Sequence, residues 1–165
     1  MKNDCKNAIR HLVCKTYEKF VKNRDAVSVV SLPGESWEFE NHILDHQDYR
    51  NCIQKNPLSL QLICFEKSFR TYSVNNLLDK NKDNNTKYLN EKLNLEHLKL
   101  LKNKNKFFWF DFCGNPSEEN LAFLSEVFKA TYQAENVCAI FTFTLGWRIR
   151  SNLPNELNYV SKLGL

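Results

Sequence analysis

The run Phe107-Phe108-Trp109-Phe110-Asp111-Phe112 offers no face that water can wet. A strand with one solvated face alternates apolar and polar residues, so four consecutive large rings require a central strand covered on both sides. Parallel sheets flanked by helices supply that environment. Three further runs read as strands of the same sheet. Ala26-Val27-Ser28-Val29-Val30-Ser31-Leu32 ends in Pro33-Gly34, Leu58-Ser59-Leu60-Gln61-Leu62-Ile63-Cys64-Phe65 ends in Glu66-Lys67-Ser68, and residues 137–145 close on Gly146-Trp147-Arg148. All are far shorter than the roughly 20 residues that cross a bilayer, so no membrane partner is expected.

Between these runs the apolar spacing changes to the helical period. Residues 4–21 carry Ile9, Leu12, Val13, Tyr17, Phe20 and Val21 as the stripe of an amphipathic helix. Residues 35–53, with Trp37, Phe39, Ile43, Leu44 and Ile53, read as a loop entering a helix. A short helix is predicted over 69–78, an exposed polar loop over 79–87, and a helix over 88–102 through Leu89, Leu93, Leu95, Leu98, Leu100 and Leu101. Residues 117–134 form a helix with Asn115 as N-cap, Pro116 in the first turn, Glu118 as capping-box acid, and Leu121, Leu124, Val127, Phe128 and Tyr132 as its buried stripe. The alternation predicts an α/β fold: a Rossmann-like, mostly parallel sheet with helices on both faces. One domain spans 1–165, with an N-terminal helix over 1–22, a core over 26–146 and a segment of little periodicity over 147–165. The length after Leu145 scarcely accommodates two more strands, so the fold is expected to be truncated at its C-terminus.

Composition narrows the function classes without choosing among them. Twelve Phe, six Tyr and three Trp exclude a disordered chain, and a net charge of +4 suits an anionic ligand or nucleic acid but names neither. The N-terminus lacks the apolar segment of a secretory signal, so the expected location is cytoplasmic, or a host cytoplasm were the protein viral. Six cysteines include no C-x-x-C pair, and Cys64 and Cys138 lie in strand runs, which favours free or buried thiols over disulfides. His42 and His46 share a helix face four residues apart; without a third ligand at metal spacing they read as a solvated face, and no metal site is assigned.

In parallel α/β sheets ligands bind beyond the carboxyl ends of the strands, which singles out Glu35, Glu66 and Asp111. A carboxylate after the second strand can accept both hydroxyls of a ribose, having acceptor oxygens and no donor. A solvated acid ending a strand fits Glu66 equally well.

Val29-Val30-Ser31-Leu32-Pro33-Gly34, Ile63-Cys64-Phe65-Glu66-Lys67 and Phe110-Asp111-Phe112-Cys113-Gly114-Asn115-Pro116 together resemble a small, divergent S-adenosylmethionine-dependent methyltransferase of the Rossmann-like class over about residues 26–146. The resemblance implies S-adenosylmethionine as cofactor, with Pro33, Gly34 and Glu35 at its methionine part and Glu66 on its ribose. It implies a catalytic set of Asp111, Asn115 and Pro116 facing the transferred methyl. The first loop carries one glycine, Gly34, where the family is glycine-rich, and Ser117 stands where amino-methylating members place a second proline.

Candidate nucleic-acid contacts are Lys102, Lys104 and Lys106, within a lysine-rich stretch diluted by Asp83, Glu91 and Glu96, and Trp147 with Arg148 and Arg150, which could stack a base and pair a phosphate. Each has a plain alternative, a solvated face for the lysines and a ring covering a strand end for Trp147. Two other functions compete with methyl transfer. One is a degenerate, non-catalytic Rossmann-like protein, conceivable as a viral one, that binds a partner or self-assembles. The other is a Mg-dependent phosphodiesterase using Glu35, Glu66 and Asp111 as oxygen ligands.

Overall fold

The strand centred on Phe107–Phe110 organises the molecule, all four rings being buried. The computed structural model describes residues 2–33, 37–53, 58–66, 86–112, 116–132 and 134–143. In chain order these form α1 (Lys2–Val21), β1 (Ala26–Ser31), α2 (Glu38–Ile53), β2 (Ser59–Phe65), β3 (Thr86–Leu89), α3 (Leu95–Leu98), β4 (Asn105–Phe112), α4 (Glu118–Ala130) and β5 (Asn136–Phe143). The strands make one sheet in the order β3-β2-β1-β4-β5, and every pairing is parallel. The fold is α/β and Rossmann-like, and among the described residues no helix is long and apolar enough to cross a membrane.

Strand alternation divides the core in two. Val27, Val29, Leu60, Leu62, Cys64, Phe107 and Trp109 face α1 and α2, where they meet Val13, Tyr17, Val21, Phe39 and Ile43. Val30, Ile63, Phe65, Phe108 and Phe110 face the opposite side, against Leu98 of α3 and Leu124 and Val127 of α4. From the central pair β1 and β4 the crossovers through α2 and α4 run in opposite directions across the sheet. With the common right hand of such crossovers, the two helices fall on opposite faces.

α1 and α2 are also tied at their ends. The Arg50 guanidinium donates to the carbonyl of Val21 at 2.9 Å, a second bond to an oxygen at the end of α1 that also accepts from the N–H of Arg24 at 3.1 Å. Arg24 donates to the carbonyl of Phe20 and lies over that ring, 4.1 Å from its centroid.

Several sequence expectations are corrected. The helix predicted over 88–102 is instead a four-residue edge strand, a turn and the short α3; Thr86 and Lys87, read as loop, belong to that strand. Tyr88 pairs with Cys64, and Asn94 caps α3 by accepting from the backbone of His97, so leucine spacing yielded to strand pairing and a local cap. Ser117 rather than Asn115 caps α4: its backbone is extended (φ −96, ψ 157) and its side chain accepts from the N–H of Asn120. Pro116 therefore precedes the cap, and Glu118 is the first helical residue, with no capping box to close. Tyr132 is 80% exposed because α4 ends at Ala130, where the Thr131 hydroxyl returns to the carbonyl of Val127 at 2.8 Å. Leu12 is 65% exposed, rotated about 100° off the stripe of Val13, Tyr17 and Val21. β5, expected to be a buried strand, is an edge strand of mostly half-buried residues. The helix predicted over 69–78 and the segment over 147–165 lie outside the described residues.

Candidate functional site

In this strand order the crossovers from β1 and from β4 lead in opposite senses across the parallel sheet, so the carboxyl ends of these two strands open the crevice where such folds take ligands. Ser31 pairs with Cys64 on one side and Trp109 on the other. Glu66 and Asp111 each lie two residues beyond those partners, flanking the end of β1 at the level of Pro33. Two strand spacings separate them, about 10 Å between backbones. β2 continues its pairing to this level, the Glu66 N–H donating to Leu89 at 3.0 Å and its carbonyl accepting from Asn90 at 2.7 Å. Asp111 is half-buried and its Oδ1 accepts a 2.5 Å hydrogen bond from Thr142, its register partner on β5. Pro33 is buried and Pro116 half-buried. Gly34, Glu35 and Asn115 lie outside the described residues.

One level below, the register forms the row Tyr88, Cys64, Ser31, Trp109, Ile140 across all five strands. The start of α2 lies over it. Trp37 meets Tyr88 edge-on at 4.8 Å and Phe39 meets Trp109 edge-on at 4.9 Å. Trp37 has φ 49, the left-handed region that a bulky residue enters at a cost of roughly 1–2 kcal/mol. Glu40, in the same turn, is only 1% exposed. Burial pushes its carboxyl up to about 7, against the opposing pull of the Ser31 hydroxyl, its own backbone and Arg10, while Glu38 adds to the rise. Glu40 Oε1 and the indole Nε1 of Trp37 and of Trp109 are buried without hydrogen-bond partners among the described residues.

Composition and spacing did not single out Glu40, Trp37 or Ser31. A helical wheel carries a signal for Glu40, which lies beside Phe39 and three residues before Ile43 on the buried side of α2.

The candidate nucleic-acid lysines lie elsewhere. Lys102, Lys104 and Lys106 surround the amino end of β4, roughly 20 Å along the strand from Asp111. Lys104 pairs with Glu135 at 2.8 Å, and Lys106 is half-buried, donating to the carbonyl of Asn103 at 2.8 Å. Lys92 and Lys99 pair with Glu119 and Glu96, both at 2.5 Å. The structure therefore does not bring Lys102, Lys104 and Lys106 to the edge that holds Glu66 and Asp111, whereas Lys92, just past the carboxyl end of β3, lies on that side of the sheet. Trp147, Arg148 and Arg150 lie outside the described residues.

His42 and His46 stack with ring centroids 6.5 Å apart, and His42 Nε2 lies 3.1 Å from Glu18 of α1. Among the described residues no group of three or more His, Cys, Asp or Glu is placed to hold a metal ion, and Cys14, Cys64 and Cys138 are free thiols. The chain matches no protein-family model and no curated protein.

Proposed function

We propose that the chain binds S-adenosylmethionine across the carboxyl end of β1 and directs its methyl group to a nucleophilic acceptor. The observation that carries this reading is the register: strand order β3-β2-β1-β4-β5 sets Glu66 and Asp111 on the two strands that flank β1, at its outlet. The residues fit such a group in kind, since a carboxylate at the end of β2 supplies acceptors for the two ribose hydroxyls. When bound, the cofactor supplies a methyl on a sulfonium that a lone pair displaces in line, leaving a neutral thioether. In this reading Glu66 orients the ribose, Asp111 accepts a hydrogen bond from the acceptor amine or hydroxyl and takes its proton as the bond to the methyl carbon forms and the bond to sulfur breaks, and Pro116 shapes the outlet ahead of α4. The acceptor meets the same edge, so the lysines at the amino end of β4 take no part.

Calorimetry with S-adenosylmethionine and S-adenosylhomocysteine tests this. The expected result is micromolar binding, weakened about tenfold or more in Glu66→Ala. Asp111→Ala is expected to keep most of the affinity. No heat at protein concentrations that detect weak binding would overturn the reading.

A second reading draws on Trp37, Phe39 and Tyr88, whose rings fill the α1/α2 side just beneath the edge. A sheet plugged in this way suits a non-catalytic protein that binds a partner or assembles with itself. It is expected to show no saturable cofactor binding and no effect of Glu66→Ala.

A further inference from the structure

The first turn of α2 combines features that no ligand at the sheet edge explains. Glu40 is enclosed between α1, β1 and its own helix, with one carboxyl oxygen lacking a partner among the described residues. The groups that act on it are Ser31 from β1, Arg10 and Cys14 from α1, and Glu38 from α2. Cys14 offers no counter-charge, because a thiol can only become an anion; burial pushes it up to about 11 and keeps it neutral. Among the described residues Arg10 is the cation in reach, but its guanidinium is engaged 2.8 Å from Glu38. The turn is otherwise held by rings: Trp37 on Tyr88 and Phe39 on Trp109. It also stores backbone strain at Trp37, and both indole N–H groups would gain water on release.

We propose that Glu40 is a proton-operated latch: its proton keeps the turn seated on the sheet, with Trp37 on β3 and Phe39 on β4, and loss of the proton releases that turn. An ionised carboxylate with an unpartnered oxygen is costly in an apolar site, and turning outward restores its hydration. The seated turn therefore holds a proton that the released turn gives up, and opening becomes easier as pH rises. This device is independent of what the edge binds.

Amide hydrogen exchange of the full-length chain, corrected for the intrinsic chemical rate, reads the latch directly. The reporters are the first α2 amides, such as Asn41, which donates to the carbonyl of Trp37 at 2.9 Å. Protection there is expected to fall about tenfold for each pH unit between 5 and 7 and to level off above, while α4 amides keep theirs. Glu40→Gln is expected to abolish this dependence. Arg10→Gln, which removes a surface cation, moves the levelling-off to higher pH. Flat protection in the wild type, the same loss in Glu40→Gln, or a profile unmoved by Arg10→Gln would each overturn the latch. Should Glu40→Gln fail to fold, carbon-13 titration of the glutamate carboxyls in the wild type decides. One carboxyl titrating near 7 supports the latch, and none doing so overturns it.

Discussion

Gln61 shows how one buried amide can replace a stretch of missing backbone pairing. Its Oε1 accepts from Ser28 Oγ at 2.6 Å and from the N–H of Lys102 at 2.9 Å, and its Nε2 donates to the carbonyl of Leu100 at 2.8 Å. Ser28 Oγ in turn accepts from the N–H of Asn103 at 3.2 Å, so two side chains fasten the segment that returns the chain to β4. Gln61→Leu keeps the volume but strands these groups, and is expected to cost about 2–4 kcal/mol, read as a lower urea midpoint at unchanged slope. Adding Ser28→Ala to it should cost less than the sum of the two single changes, because the partners already lost cannot be lost again. The alternation Leu60, Gln61, Leu62 marks Gln61 in the sequence as a polar residue inside a buried strand. Its partners in residues 100–103 are some forty positions away and were not legible, because nothing local couples them.

At the scale of elements, the N-terminus of α4 separates what local chemistry decides from what it leaves open. Asn115 and Ser117 are both good caps flanking Pro116, and the helix starts after the second of them. Ser117→Ala should therefore destabilise the protein by about 1 kcal/mol in thermal or urea unfolding, and Ser117→Asp should be nearly neutral. β1, β2, β4 and β5 were legible because their apolar runs exceed what a helix face tolerates, and α1 and α4 because their stripes hold the 3.6 period. β3 was not, since Thr86-Lys87-Tyr88-Leu89 is short, lies at an edge and buries only Tyr88. Its existence follows from pairing with β2, a long-range fact. The same limit applies to the candidate site: the strand-end acids Glu66 and Asp111 could be named from sequence, but their placement on either side of β1 needed the order of the strands.

At the scale of the whole molecule, three described groups shape stability against pH with effects of opposite sign. Glu40 is an acid whose folded value, about 7, stands above the ordinary 4.5, so the folded state binds more protons between those values. Stability from this group is complete below 4.5, falls as pH rises and is lost above 7, a change of roughly 3 kcal/mol. His46 is a base pushed down by burial, so the folded state binds fewer protons as pH approaches 6.5 from below, and its contribution rises with pH. Glu18, held below the usual carboxylate range chiefly by a hydrogen bond from Lys15, contributes stability that is lost as pH falls below 4.5; half-buried and paired with an exposed lysine, it carries little. The fully buried group dominates, so the wild type is expected to lose stability from pH 5 to 7 and then level off. In Glu40→Gln the descending contribution is gone and that of His46 is uncovered, so its urea midpoint should rise gently over the same range. The curves must separate progressively toward neutral pH. Parallel curves would assign the pH dependence to groups other than Glu40.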